Sequence, residues 1–162
     1  MAIIPLFGKT KKSIIAVDPG LKGAIVLIET DGTTLAYEKN KMTTQKFVDV
    51  IKWFSSKNKD TVAYMENVHA LPKNGVNSMF TFGKELGWYN GVFSCLDIMV
   101  HRPAPQLWQN RIGVVTIRNR TYTKRKEDLY HLAMERFGHL IEVTSDNCDA
   151  LLIGHYATMM ES

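Results

Sequence analysis

Two aspartates near the carboxyl end of the sequence have the type and spacing of catalytic or metal-binding residues. In SDNCDALLIGHYA, Asp146 and Asp149 are three residues apart at the start of an apolar run, so we predict that they share one face of a helix beginning near Asp146. Two like charges on a face that is about to be buried need a compensating cation. A cation requires more ligands than two carboxylates supply, so further acids are expected elsewhere in the chain.

Two other acids each end a run of apolar residues. Asp18 follows the first predicted strand in IIAVDPG, and Glu66 follows the fourth in VAYMEN. Each has a plain structural explanation, because Asp before Pro-Gly is a good turn former and a glutamate is able to pair with a lysine. Two neighbouring strand ends and a facing helix would nevertheless bring all four acids together. Like charges that close again require a cation.

Carboxylates as the only ligands favour Mg²⁺ or Mn²⁺, and the sequence has no Cys/His cluster with zinc spacing. His69 lies three residues after Glu66, but a single histidine near a loop is more simply incidental. Two Mg²⁺ ions held about 4 Å apart activate a water molecule and stabilise the leaving oxygen of a phosphodiester. We expect two Mg²⁺ ions per site, with Mn²⁺ as a substitute. Asp18, which follows the central strand, is the predicted shared ligand.

A basic segment, residues 98–126, contains no Asp or Glu. Such a block is either a solvated face or a track for the phosphates of a nucleic acid, where cations displace counterions. Trp108 and Tyr122 lie inside it and are either base-stacking or core residues. Its cationic side chains of interest are Arg102, Arg111, Arg118, Arg120, Lys124, Arg125 and Lys126.

Size and composition fit one soluble domain. The chain has 162 residues, 45% of them hydrophobic and 22% charged, with a net charge of +4. We expect a single domain over residues 1–162. Two cysteines, no recognisable signal peptide and no apolar run of membrane-spanning length indicate a protein of the reducing cytoplasm, with no membrane partner.

Hydrophobic periodicity predicts an α/β fold in which a mixed five-stranded sheet has helices on both faces. Three antiparallel strands come first, followed by alternating helices and strands. The predicted strands are residues 13–18, 23–29, 33–39, 61–67 and 97–103, and the predicted helices are residues 43–57, 75–94, 104–113, 124–138 and the segment from Asp146 onward.

Several motifs together resemble the RuvC-type Holliday-junction resolvases, particularly their bacteriophage branch. They are IIAVDPGLKGAIVL, YMENVHALPKNGVNSMFTFGKELGWYNGVF, RPAPQLWQ and SDNCDALLIGHYA, which occur in the family's order over about residues 13–160. The resemblance implies an RNase H-like fold and a Mg²⁺-dependent homodimer that nicks two strands of a four-way DNA junction symmetrically. It places the four catalytic, metal-binding acids at Asp18, Glu66, Asp146 and Asp149.

The resemblance also implies roles for basic and amide side chains. A lysine at the start of the penultimate helix lies near the scissile phosphate in this family. Lys124 and Lys126 are both candidates for that role, and Lys124, at the mouth of the helix, is preferred. The loop HALPKNGVN matches the segment that reaches the junction centre, which makes Lys73, Asn74 and Asn77 candidate DNA contacts.

Gly83, Gly87 and Gly91 recur every four residues in the second predicted helix and so form one ridge. Each glycine costs about 1 kcal/mol relative to alanine inside a helix, which indicates that another backbone comes close. Either the helix packs tightly on its own sheet, or a second copy of the chain packs against it in a homodimer.

Alternative functions remain open on the sequence. DPGLKG is also similar to the phosphate-binding turn of actin-like ATPases and sugar kinases, but those need two such domains and further glycine-rich motifs, so no nucleotide cofactor is expected. A flap or fork endonuclease and a ribonuclease H would use the same metal chemistry. A junction-binding protein without catalysis fits less well, because the set of four acids is complete.

Overall fold

The computed structural model describes residues 4–69, 75–114 and 120–162. Within these ranges the chain forms six β-strands, five α-helices and a 3₁₀ turn at Lys39–Lys41. The strands are β1 (Ile4–Pro5), β2 (Ser13–Val17), β3 (Ala24–Ile28), β4 (Thr33–Glu38), β5 (Thr61–Met65) and β6 (Met99–His101). The helices are α1 (Thr44–Lys57), α2 (Val76–Cys95), α3 (Pro105–Arg111), α4 (Tyr122–Phe137) and α5 (Cys148–Met160).

All six strands belong to one mixed sheet, in the order β1-β4-β3-β2-β5-β6. β2, β3 and β4 form an antiparallel meander, whereas β5 is parallel to β2 and β6 is parallel to β5. The parallel pairs are connected through α1 and α2, as parallel strands need long crossovers. The predicted mixed five-stranded sheet is confirmed, and β1 adds a two-residue strand beside β4 that was not predicted.

Helices cover both faces of the sheet, as predicted. Because side chains alternate along a strand, Ile14 and Ala16 of β2 enter the core formed with α3, α4 and α5, whereas Ile15 and Val17 enter the core formed with α1 and α2. All five residues of β2 are buried, and β2 pairs on both sides, with β3 and with β5. The residue that follows β2 is therefore attached to a buried interior strand of the sheet.

Helix α5 packs closely on the sheet at Gly154. A Cβ atom there would lie 3.1 Å from Ile28 Cδ1 and 3.5 Å from Ala16 Cβ, so only a residue without a side chain fits easily. This contact fixes the distance between α5 and strands β2 and β3. It thereby also fixes where the first turn of α5 lies relative to the end of β2.

Helix boundaries differ from the predicted ones by a few residues. α5 begins at Cys148, so Asp146 lies in the preceding turn and not on the helix itself. α4 begins at Tyr122, two residues before the predicted start, because the Thr121 side chain accepts a hydrogen bond from the Lys124 backbone N–H and caps the helix there.

Cys95 and Cys148 are both free thiols. In the three described ranges, no helix has both the length and the hydropathy for crossing a membrane.

Candidate active site

Asp18 and Glu66 lie at the same edge of the sheet because they follow two adjacent parallel strands. Val17 at the end of β2 is in register with Met65 at the end of β5, and one acid comes directly after each. Neighbouring parallel strands end at the same edge of a sheet. The strand pairing therefore brings together two carboxylates that are 48 residues apart in the sequence, as predicted.

The turn after β2 holds Asp18 in a fixed position. Its backbone N–H donates to Ala24 O at 3.0 Å, and its Oδ1 accepts from the Gly20 N–H at 3.1 Å. A Cβ on Gly23 would lie 2.1 Å from the Asp18 carbonyl oxygen, so the turn requires glycine there. The DPGLKG motif therefore serves to orient the aspartate.

A hydrogen-bonded turn places Asp146 beside the other acids. Thr144 Oγ1 accepts from the backbone N–H groups of Asp146 and Asn147, and its hydroxyl donates to Glu38 Oε1 at 2.7 Å. Asn40 Nδ2 donates to Asp146 Oδ2 at 2.8 Å. Both Glu38 and Asn40 come from the end of the meander, so the turn before α5 is anchored to the sheet.

Asp149 lies in the first turn of α5 and is only 7% exposed. Its Oδ2 accepts a hydrogen bond from the ammonium group of Lys126, which α4 supplies. Lys124, by contrast, points to a more exposed position, where its Nζ lies 3.5 Å from Glu127 and 3.4 Å from Asp128. The preference for Lys124 is therefore not supported by the geometry, because Lys126 is the lysine that reaches the acids.

The four acids line one cleft of about 350 Å³. The cleft is open to solvent and also carries the cations Lys22, Arg125 and Lys126 and the side chains of Phe82, Gln109 and Tyr122. The structure thus brings together the four predicted acids with one of the two candidate lysines. It places three positive charges around them.

Burial and mutual repulsion shift the ionisation of this cluster. Burial, reinforced by the charge of Asp149, raises the pKa of Asp18 to about 6. Burial raises the pKa of Glu66 to about 7, although a hydrogen bond from Trp108 opposes the rise. Burial alone would lower the pKa of Lys126, but attraction to Asp149 and Asp18 raises it above its ordinary value. The cluster therefore has more negative charge than one lysine stabilises.

The four carboxylates are suitable ligands for a divalent cation, but their side chains are not arranged around a common point. In the described ranges, no three Asp, Glu, His or Cys side chains are grouped closely enough to hold a metal ion. Asp149 is paired with Lys126, Asp146 with Asn40 and Glu66 with Trp108. Buried carboxylates with raised pKa values are nevertheless the groups that a hard cation stabilises.

Trp108 and Gln109 of α3 are site residues for which the sequence analysis gave no such role. Trp108 is fully buried, and its Nε1–H donates to Glu66 Oε1 at 3.0 Å, which fixes that carboxylate. Gln109 is 5% exposed and lines the cleft. The RPAPQLWQ motif was the available signal, since it contains both residues.

The other predicted DNA contacts that the structure describes lie on several different elements. Lys73, Asn74 and Arg118 lie outside the described residues. Asn77 is exposed in the first turn of α2, and Arg102 and Arg111 are exposed beside β6 and at the end of α3. Arg120 pairs with Asp128 at 2.8 Å, which leaves it less available to a phosphate. Arg125 lines the cleft itself.

Comparisons with known proteins identify the fold. The sequence matches no model of a protein family and no curated protein. Among solved structures, a Thermus thermophilus RuvC in complex with Holliday junction substrate superposes with a TM-score of 0.60 at 14% identity, covering 93% of this chain and 95% of that one. A second Thermus thermophilus RuvC structure superposes with a TM-score of 0.55 at 16% identity, and the match covers 92% of this chain and 97% of that one. The chain therefore has the RuvC fold, which is RNase H-like.

Proposed function

We propose that this chain is a Mg²⁺-dependent endonuclease of branched DNA whose substrate is the four-way junction. The proposal rests on the cleft that Asp18, Glu66, Asp146 and Asp149 line together with Lys126, on a chain with the RuvC fold. A neighbour with the same fold is a complex with Holliday junction substrate, which supports this choice of DNA. Residues 1–162 would act as one nuclease domain in the cytoplasm. Membership of the bacteriophage branch stays a prediction from the sequence motifs.

The four acids are the residues that would hold two Mg²⁺ ions. Asp18, which follows β2 and whose charge interacts with those of the other three acids, is the proposed shared ligand, with Mn²⁺ as a substitute ion. When bound, such ions supply Lewis-acid activation of water and charge stabilisation at the leaving oxygen of a phosphodiester. The raised pKa values of Asp18 and Glu66 support this role, because both carboxylates are costly in the folded chain without a cation.

The chain's own cations bind and position the DNA backbone. Lys126 reaches the acids from α4, so it is placed to bind an oxygen of the scissile phosphate and to stabilise the charge that develops there. Lys22 and Arg125 line the same cleft and would bind neighbouring phosphates. Trp108 keeps Glu66 oriented through its indole N–H.

A homodimer through α2 completes the proposal. A Cβ added at Gly83, Gly87 or Gly91 would have no described atom within 4 Å apart from its chain neighbours and the backbone of α2 itself, so this ridge does not pack closely on the chain's own sheet. Beside the ridge, Val76 is 83% exposed and Phe80 74%. A second copy of α2 would cover this apolar face across a two-fold axis, and two symmetric nicks require two such related sites.

The decisive experiment compares substrates and metals. Purified protein is incubated with a synthetic four-way junction, a flap, and an RNA–DNA hybrid, in Mg²⁺ or in EDTA. We expect paired nicks on the junction in Mg²⁺, none in EDTA, and loss of nicking in Glu66→Gln with junction binding retained. Preferential cutting of the flap or of the hybrid would replace the junction by that substrate. Binding without any cutting would reduce the protein to a junction-binding role.

A further inference from the structure

Tyr122 is a large aromatic residue that the arrangement of acids leaves unexplained. It is the first residue of α4, it is 69% exposed, and it lines the cleft that contains Asp18 and Asp149. An aromatic ring that contributed only to the hydrophobic core would be buried. The ring of Tyr122 therefore presents a flat surface to whatever enters the cleft.

Arg125 lies against this ring, one helical turn further along α4. Its guanidinium carbon is 5.7 Å from the centre of the Tyr122 ring, within the range of a cation–π contact. The Arg125 Nε atom is buried and makes no hydrogen bond within the described residues. The pair therefore combines an exposed aromatic surface with a cation that has one donor, Nε, without a hydrogen bond among the described residues.

A second aromatic side chain reaches the cleft from the other side of the sheet. Phe82 belongs to α2, which packs on the face opposite to α4, and it lines the same cleft. Asp18 and Glu66 follow the ends of β2 and β5, and both helices contribute side chains to the cleft that contains these acids. A nucleotide whose phosphate is bound by Lys126 beside the acids thus has aromatic surface available from two helices.

We propose that Tyr122 stacks on an unpaired nucleobase next to the scissile phosphate, while Arg125 binds the adjoining phosphate. This inference rests on the proposed function, and it identifies an unpaired base as the feature of the DNA that the site would recognise. Inside a duplex both faces of a base are covered by its neighbours, so only a base freed at a branch point offers a face to Tyr122. The stacking therefore favours branch points over linear duplex, although phosphate binding alone is the same for both.

The test uses four-way junctions that carry 2-aminopurine at each branch-point nucleotide in turn, in EDTA so that no strand is cut. Fluorescence and affinity are compared for the wild type, Tyr122→Ala and Tyr122→Phe. We expect one position at which the Tyr122→Ala complex is brighter than the wild-type complex, with quenching retained in Tyr122→Phe. Tyr122→Ala should bind the junction at least about fivefold more weakly, the lower range for loss of one stacked base, and bind linear duplex as before.

Trp53→Ala is the matched control, because Trp53 is 46% exposed and also forms a cation–π pair. The Lys57 Nζ atom is 5.7 Å from the centre of the Trp53 ring, and neither residue lines the cleft. It should change neither affinity nor fluorescence. Equal brightness of the Tyr122→Ala and wild-type complexes, or equal weakening on junction and duplex, would overturn the stacking. Absence of Mg²⁺-dependent nicking by the wild type would instead overturn the proposed function, since the binding assay does not depend on cleavage.

Discussion

Replacing Asp18 by asparagine should stabilise the metal-free protein while it removes the proposed activity. Asp18 is held among like charges, and burial together with Asp149 raises its pKa from 3.8 to about 6. Asparagine has nearly the same shape, and its Oδ1 is able to accept the hydrogen bond from the Gly20 N–H. The substitution therefore removes a partly buried charge but keeps the turn.

The size of the effect follows from the shift in pKa. Each unit corresponds to about 1.4 kcal/mol, so a rise from 3.8 to about 6 means that the ionised carboxylate costs the folded state roughly 3 kcal/mol. Because the folded pKa is raised, this cost is absent below the unfolded value of 3.8, grows as pH increases, and is complete above about 6. For a chain of this length, about 3 kcal/mol raises the thermal midpoint by roughly 6 to 12 °C.

Thermal unfolding in EDTA at pH 4.5 to 8 measures the difference in thermal midpoint between the wild type and Asp18→Asn. We expect Asp18→Asn to unfold several degrees above the wild type at pH 8, with the difference shrinking toward pH 4.5. Asp60→Asn is the control, since Asp60 is exposed and uses its backbone carbonyl, which the change retains, to accept from Ser13. Mg²⁺ should raise the midpoint of the wild type more than that of Asp18→Asn. An Asp18→Asn protein that is no more stable than the wild type at pH 8 would refute the reasoning.

Three further predictions concern the lysines, the arginines and α2. Lys126→Ala should lower the single-turnover cleavage rate by about 10²-fold, whereas Lys124→Ala changes it little; equal effects would remove Lys126 from the site. Arg102→Gln with Arg111→Gln should reduce the slope of log affinity against log salt by about 0.9 for each phosphate that is no longer bound, and an unchanged slope would mean that both only face solvent. Gly87→Leu should sediment as a folded monomer, because the leucine side chain has space in one chain but not beneath a partner helix; a persisting dimer would contradict the interface.

Local sequence patterns were sufficient to predict the sheet and two of its acids. Alternation and apolar runs identify β2 and β5, and a single acid after each run is visible because it interrupts the run. The boundaries of α4 and α5 were less accurate, since the Thr121 cap and the Thr144 turn depend on backbone geometry that spacing alone does not determine. The glycine ridge was visible in the sequence, but whether it faced the sheet or solvent required the tertiary structure.

Long-range partners within the site were not predictable from spacing. Asn40 and Asp146 are 106 residues apart, and Trp108 and Glu66 are 42 apart, so no local pattern connects them. The choice between Lys124 and Lys126 depends on which way α4 turns as it packs on α5. Only the packed structure shows that the later lysine faces the acids.

Three of the four acids in the cleft stay together because each is held by a different rigid element. β2 and its glycine turn hold Asp18, β5 and Trp108 hold Glu66, and the first turn of α5 holds Asp149. Repulsion between the carboxylates would separate them if they shared a flexible loop, whereas here separation would require breaking the sheet or moving α5 away from it at Gly154. The rigid elements therefore keep the carboxylates close although their repulsion destabilises the metal-free protein. Binding of divalent cations would offset this repulsion and stabilise the folded state.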